Sequence, residues 1–142
     1  MNIKLGRGLE DVRFGISQDA LVELLGPPDK YDTDGFEAPL LIYNAYRSIF
    51  WFSLEDELHW IQCSNSISMI WNQKLIGQSF VAKKALIASH AGEPTDIDDF
   101  GSMESYSYDS CQLEIQVEFG TIQTICFGNL WEDGDTPIYP RD

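Results

Sequence analysis

The sequence predicts an α+β protein made of two tandem repeats, each a helix followed by a β-meander, which together form one antiparallel sheet with the helices on one face. Three observations predict this class. A capped helical segment occurs twice, an acidic loop and a pair of tyrosines follow each copy, and two β-like runs come next. We expect the first repeat at residues 1–66 and the second, with an acidic tail, at residues 67–142, in one compact body.

The first helical segment carries its own start and stop signals. Ser17 is a favourable N-cap, and Asp19 places a negative charge at the positive end of the helix dipole. Gly26 suits the left-handed conformation that ends helices, and the two prolines after it prevent continuation. The apolar residues at helical spacing are Ala20, Leu21, Leu24 and Leu25. We therefore predict a helix from Gln18 to Leu25.

The second helical segment repeats this pattern with four additional residues. Ser79 is its cap, and Gly92, Glu93 and Pro94 form its stop signal, so we predict a helix over Phe80–Ala91. The tyrosine pairs that follow the two helices are Tyr43 with Tyr46 and Tyr106 with Tyr108.

Two hairpins are predicted from apolar and alternating runs. Ser48–Leu54 and Leu58–Cys63 flank a charged turn, and Leu113–Phe119 alternates strictly between apolar and polar residues before Thr121–Phe127 returns. A further strand is predicted to start in Leu40–Tyr46, with Glu104–Tyr108 as its counterpart, and Met1–Phe14 is expected to hold a short strand or an extended entry. The segments predicted to lack regular structure are the acidic loops Asp29–Pro39 and Thr95–Ser102 and the extended tail Gly128–Asp142.

Superposing the two copies divides the sheet residues between two faces. The residues expected to face the helices are Phe50, Phe52, Leu54, Leu113, Ile115 and Val117. The residues expected on the open face are Ile49, Trp51, Ser53, Glu114, Gln116 and Glu118. The open face thus combines a large aromatic residue with a row of carboxylates, although the alternative that the tryptophans fill gaps in the core stays open.

Charge limits the classes of partner. The formal net charge is −14, and no Lys or Arg occurs from Ala85 to Pro140. Such a field repels nucleic acid and anionic membranes and attracts basic proteins. Acidity that serves solubility alone is the other interpretation. No run approaches the length of a membrane span, and Met1–Gly15 lacks the apolar stretch of a signal peptide, which favours a cytoplasmic location.

Residues for catalysis or metal binding are sparse. The cysteines Cys63, Cys111 and Cys126 are odd in number and lack metal-ligand spacing, so we expect free thiols. Two histidines occur, His59 and His90, and no nucleophile elbow or phosphate loop accompanies them. The two Asp-rich loops are incomplete as calcium loops. We therefore expect neither a cofactor, nor a metal, nor enzymatic activity.

The helical segment Gly15–Asp29 begins with Gly-x-Ser and ends with Leu-Gly-x-Pro. A meander follows it, and the unit is repeated in tandem. This arrangement resembles the β-lactamase-inhibitor-protein-like architecture. The single-copy version is similar to the small lipoproteins of outer-membrane assembly. Gly77–Thr95 carries the second, longer copy. The resemblance implies a domain that binds other proteins through its exposed sheet face and loops.

These observations together predict a protein-binding module, most concretely a toxin-immunity protein that neutralises a basic toxin, such as a nuclease, by covering its active site. A structural or regulatory interaction protein without a toxin partner is the alternative. The oligomeric state stays open. The residues expected to contact the partner are Trp51, Trp60, Glu114, Gln116, Glu118, Asp96, Asp98 and Asp99.

Overall fold

The computed structural model describes residues 1–140 of the chain. The helices are α1 (Gln18–Leu25) and α2 (Phe80–Ala91), with a short 3₁₀ turn at Asp109–Cys111. The strands are β1 (Ile3–Lys4), β2 (Gly8–Leu9), β3 (Val12–Arg13), β4 (Lys30–Thr33), β5 (Pro39–Tyr43), β6 (Ser48–Phe52), β7 (Leu58–Cys63), β8 (Asp96–Asp99), β9 (Met103–Tyr108), β10 (Leu113–Glu118), β11 (Thr121–Gly128), β12 (Leu130–Glu132) and β13 (Thr136–Ile138).

One antiparallel sheet of eight strands dominates the fold. Its strand order is β4-β5-β6-β7-β11-β10-β9-β8, so β7 and β11 meet at the centre while β4 and β8 form the edges. All seven neighbouring pairs are antiparallel. A small sheet of β1, β2 and β3 and the hairpin of β12 and β13 complete the described chain.

The predicted fold class is wrong. The structure is mostly β, with 44% of residues in strands and 16% in helices, and its centre is one large eight-stranded sheet rather than a pair of tandem helix-plus-meander repeats with helices on one face. The helices contribute little to the core: among their residues, Leu21 is fully buried in α1, and Phe80, Ile87 and Ala91 are buried in α2. The predicted domain boundary after residue 66 stays a prediction.

Much of the additional β-structure lies where loops were predicted. Both acidic segments contain an edge strand, β4 and β8, and every residue of these two strands is exposed. Their sequences, Lys-Tyr-Asp-Thr and Asp-Ile-Asp-Asp, have no buried face that a hydrophobic pattern could reveal. Backbone pairing to β5 and β9 holds them in place. The predicted tail likewise contains the hairpin β12–β13.

The predicted bounds of the two helices are confirmed, and so are their caps. The Ser17 hydroxyl accepts a hydrogen bond from the Ala20 N–H at 3.1 Å, and the Ser79 hydroxyl accepts one from the Ala82 N–H at 3.3 Å. Gly26 and Gly92 end the helices at φ values of +85° and +78°, which favour glycine.

Within residues 1–140, neither helix is long and apolar enough to cross a membrane.

The inner face of the sheet forms the hydrophobic core. Five of the six predicted core residues, Phe50, Phe52, Leu113, Ile115 and Val117, are at most 2% exposed. The prediction for Leu54 is wrong, because this side chain is 71% exposed. It lies after the last residue of β6, in the turn to β7, where the alternation of the strand no longer applies.

Two inner-face tyrosines connect the sheet to the helix ends. The Tyr43 hydroxyl donates a hydrogen bond of 2.8 Å to the carbonyl of Gly26, at the end of α1. The ring of Tyr106 stacks on Phe80, the first residue of α2, with 4.1 Å between centroids. Burial is the main cause that raises the pKa of both tyrosines to about 12, so both contacts involve neutral phenols at ordinary pH.

The three cysteines are unpaired, and the sheet keeps two of them apart. Cys63 pairs in register with Ile125, so these two side chains share the inner face. Cys126 is the next residue of β11 and therefore points to the opposite face. Although β7 and β11 are neighbours, a disulfide between Cys63 and Cys126 would require their Cβ atoms to point toward each other.

We predict that the thiols differ in reactivity. Cys63 and Cys126 are at most 2% exposed, whereas Cys111 is half-buried, so Cys111 should react first in the native protein. Its reaction should be slow near neutral pH, because burial raises the pKa of its thiol. Titration with a chromogenic disulfide reagent should count one accessible thiol in buffer and three in denaturant. A count of one in denaturant would reveal a disulfide and contradict this arrangement.

Candidate functional site

The side of the sheet opposite the core carries the predicted site. We define the outer face as the side chains that alternate with the core residues along β4 to β11. One line of register crosses all eight strands on this face. It comprises Lys30, Ile42, Ile49, Gln62, Cys126, Glu114, Ser107 and Asp96. At about 4.8 Å between strands, the line is about 34 Å long.

The half of the outer face on β4 to β7 carries an apolar and aromatic patch on β5, β6 and β7. Trp51 of β6 and Trp60 of β7 are cross-strand partners, which places their Cβ atoms about 5 Å apart. Both side chains are half-buried, and neither belongs to the core cluster. Leu40 pairs with Trp51 from β5 and is 6% exposed, also outside the core cluster. A small apolar layer has therefore formed on the outer face.

Gly128 is required beside this layer. A Cβ atom placed on Gly128 would lie 2.6 Å from Cε3 of Trp60 and 2.9 Å from the carbonyl oxygen of His59. The ring of Trp60 therefore lies close against the backbone of β11 at Gly128. The indole N–H of Trp51 is buried without a hydrogen-bond partner within residues 1–140. A polar group that is buried and unsatisfied destabilises the free protein and calls for an explanation.

The half on β8 to β11 is polar and acidic. A carboxylate oxygen of Glu114 accepts hydrogen bonds from the Ser105 hydroxyl at 2.7 Å and from the Gln116 amide at 3.2 Å. Asp96 and Asp98 of the edge strand lie on the same face, since they pair in register with Ser107 and Ser105. Glu118 follows Gln116 by two residues on β10 and is exposed. These side chains form an acidic surface around a hydrogen-bonded centre.

Cations are almost absent from this face. Lys30 is the one Lys or Arg on strands β4 to β11 of the described chain, and it forms an ion pair of 3.2 Å with Asp32. The carboxylates of Asp96, Asp98, Glu114 and Glu118 make no ion pair within residues 1–140. Their negative charge is consequently available to a partner.

Seven of the eight predicted contact residues thus share the outer face. Asp99 is the exception, because alternation along β8 turns it away from Asp98. Its carboxylate accepts a hydrogen bond from the Gly101 N–H at 2.8 Å and closes the turn to β9. Whether the seven residues bind a partner stays a prediction.

A cleft of about 440 Å³ lies between the β6–β7 turn and the β12–β13 hairpin. It contains His59, Trp131, Tyr139 and the carboxylates of Glu55, Glu57 and Asp135. Burial is the main cause that lowers the pKa of His59, which keeps this imidazole neutral at physiological pH. The other histidine, His90, stacks on Trp71 with 4.6 Å between centroids.

The aspartates of the two edge hairpins have local partners. Asp34 accepts hydrogen bonds from the N–H groups of Phe36 at 2.7 Å and Ala38 at 3.2 Å, as is usual in Asx turns. Asp32 bonds the N–H of Thr33 at 2.8 Å. This bond and Lys30 lower the pKa of Asp32. No group of three or more potential metal ligands occurs within residues 1–140.

Solved structures share this fold. The chain is similar over 91% of its length to an extracellular protein containing an SCP domain from Bacillus anthracis str. Ames, with a TM-score of 0.56 and 9% identity, and it spans 48% of that protein. It is similar over 88% of its length to a DUF4309 family protein (YjgB) from Bacillus subtilis subsp. subtilis str. 168, with a TM-score of 0.51 and 12% identity, and it spans 83% of that chain.

Identities this low show a shared fold and nothing more about activity. No family model matches the chain, and the search of curated proteins found no match. The resemblance to β-lactamase-inhibitor-protein-like proteins, to the small lipoproteins and to toxin-immunity proteins stays a prediction.

We predict that Gly128→Ala displaces Trp60 and destabilises the protein. The added methyl group would overlap the indole ring and the His59 carbonyl, and overpacking of this kind costs about 1–3 kcal/mol. Urea unfolding monitored by circular dichroism measures the change. The double variant Gly128→Ala with Trp60→Leu is the control, because removal of the ring should restore part of the lost stability. A single variant as stable as the wild type would contradict the packing of Trp60 over β11.

Proposed function

We propose that this chain is a protein-binding module whose outer face binds a basic protein. One observation carries the proposal: the cross-strand pair Trp51 and Trp60 shares the outer face of the sheet with four carboxylates that make no ion pair within residues 1–140. Aromatic anchors beside complementary charge are typical of protein interfaces.

The aromatic half supplies the anchor. Tryptophan is enriched among the residues that dominate binding energy, and two adjacent half-buried rings offer apolar surface to a partner. The indole N–H of Trp51 is a donor without a partner in the free protein, which an acceptor on the bound protein would satisfy. Binding would then remove an unfavourable feature of the free protein.

The acidic half supplies the selectivity. With a net charge of −14 and unpaired carboxylates on the face, the protein attracts basic surfaces and repels nucleic acid and anionic lipid. Charge of this kind acts mainly on the association rate, whereas a buried aromatic anchor acts on the dissociation rate. The two halves of the face should therefore affect different rate constants.

The size of the face sets a condition on the partner. At about 34 Å by 16 Å, the strands offer on the order of 550 Å² to one partner, whereas a standard interface buries about 800 Å² on each side. The partner must also contact loops at the rim. Phe100 and Phe119 are exposed in the β8–β9 and β10–β11 turns, next to the acidic half. A hydrogen bond of 2.9 Å from the Phe119 N–H to the Ser102 carbonyl connects the two turns.

The predicted toxin-immunity role is the most concrete form of this proposal. In that role, the basic surface of the partner includes an active site, and binding abolishes the partner's activity. In the alternative role, as a structural or regulatory interaction protein, the partner is not a toxin and binding does not abolish its activity. Activity of the captured partner with and without the chain distinguishes the two.

We predict separate kinetic effects for the two halves. Trp51→Ala should speed dissociation and cost about 2 kcal/mol or more of binding energy if the ring is an anchor. The pair Asp96→Lys and Asp98→Lys should slow association and reduce its dependence on salt, with little effect on the fold because both residues are exposed. Affinity capture from the source cell provides the partner, and surface binding across a salt series measures both rate constants.

Glu23→Lys combined with Glu132→Lys is the matched control, since both residues are exposed and lie off the outer-face strands. It changes the net charge by the same amount and should leave association much closer to that of the wild type. Circular dichroism confirms folding. If all variants capture the partner with unchanged kinetics, the outer face is not the binding site.

A further inference from the structure

Two adjoining clefts open at the end of the outer face near the β5–β6 turn. The first, of about 400 Å³, lies beside Ile42, Ile49 and Gln62 of the outer face. The second, of about 420 Å³, lies beside Ile76 and Thr124. Arg47 and Ser64 line both clefts, so the two adjoin, and we call them together the groove. Its volume lies in the range of small-molecule sites.

Arg47 is the basic residue of this groove, and its situation is unusual for so acidic a chain. It is exposed and makes no ion pair within residues 1–140. Its backbone φ is +48°, in the left-handed region where glycine is the favoured residue. Two backbone bonds fix it there, from the Arg47 N–H to the Asn44 carbonyl at 3.1 Å and from the Ser64 N–H to the Arg47 carbonyl at 2.9 Å.

A carboxylate lines the same groove without contacting Arg47. Glu118 lies on the wall of the second cleft, and the two side chains are not within ion-pair distance of each other. The hydroxyl groups of Ser64 and Thr124 line the same cleft, and their oxygens are 3.0 Å apart. Because the two opposite charges line one cleft and do not pair with each other, each is available to the opposite charge of a single ligand.

We propose that this groove binds a small zwitterion of amino-acid size. The Arg47 guanidinium would bind the carboxylate of the ligand, for which its planar donors are suited. Glu118 would accept hydrogen bonds from the ammonium group, and Ile76 provides an apolar wall for the rest of the molecule. A simple anion would be repelled by Glu118 and by the net negative charge of the chain, while a simple cation would be repelled by Arg47.

This site differs from the proposed protein interface in its ligand and in Arg47, Ser64 and Ile76, although Glu118 and the edge of the outer face belong to both. The test uses the full chain labelled with ¹⁵N and each of the twenty standard amino acids in turn, at millimolar concentration. Acetate and ethylammonium are the probes with a single charge. We expect at least one amino acid to shift the amide resonances of Arg47, Ser64 and Thr124 in a saturable manner, and neither single-charge probe to do so at the same concentration.

Arg47→Gly distinguishes binding from folding. Because φ at this position favours glycine, the variant should be at least as stable as the wild type while its affinity for the amino acid falls about tenfold or more. Glu118→Gln should weaken binding to a similar degree. Lys84→Ala on α2, which removes the same charge from an exposed residue outside the groove, should bind as the wild type does.

Three results would overturn the proposal. They are the absence of any shift at Arg47 and Ser64 with all twenty amino acids, equal shifts with acetate alone, and unchanged binding in Arg47→Gly.

Discussion

The pairing of β7 with β11 is the contact on which the rest of the molecule depends. Four register pairs, from Cys63 with Ile125 to Trp60 with Gly128, join the strands β4–β7 to the strands β8–β11. The hydroxyls of Ser64 and Thr124 continue this junction beyond the paired residues, and the ring of Trp60 lies over Gly128. A slip of one residue would exchange the two faces on one half of the sheet. It would expose Ile61 and bury Gln62 if the β4–β7 half were inverted, or expose Phe127 if the β8–β11 half were inverted. The register of this one pair therefore fixes the composition of both faces.

That register separates the two faces by chemistry. The inner face carries the fully buried residues of the core, whereas the outer face carries an apolar layer that merges into a row of carboxylates. The two edge strands of the sheet are protected against pairing with another chain. Charged side chains on β4 and β8 oppose the addition of a further strand, which is a common device at exposed edges. With its edges protected in this way, the sheet offers its outer face rather than its edges for binding, and this agrees with the proposed function.

Local signals predicted the local structure well. The caps Ser17 and Ser79 and the glycines after each helix defined both helices, because these interactions lie within a few residues of one another. Strict alternation over Leu113–Phe119 placed Glu114 and Gln116 on the face opposite the core, where the structure has them. The edge strands were missed, since an exposed strand of aspartates is held by its neighbour and not by its own side chains. The fold class was wrong for the same reason, because the extent of the sheet depends on pairing between distant segments. No sequence pattern marked Arg47 as a binding residue, because a single arginine in a turn is common. It becomes unusual only when its positive φ and the cleft beside it are known.

The four tryptophans permit the most direct test of the central claim, that the outer face binds a basic protein. Trp51 and Trp60 lie on that face, whereas Trp71 stacks on His90 and Trp131 lies in the cleft beside the β12–β13 hairpin. Hydroxyl-radical footprinting with mass spectrometry measures the oxidation rate of each ring in the free chain and in the complex with the captured partner. We expect the partner to lower the oxidation rates of Trp51 and Trp60 and to leave those of Trp71 and Trp131 unchanged. Protection of Trp131 with unchanged rates at Trp51 and Trp60 would contradict it and place the interface at the hairpin cleft.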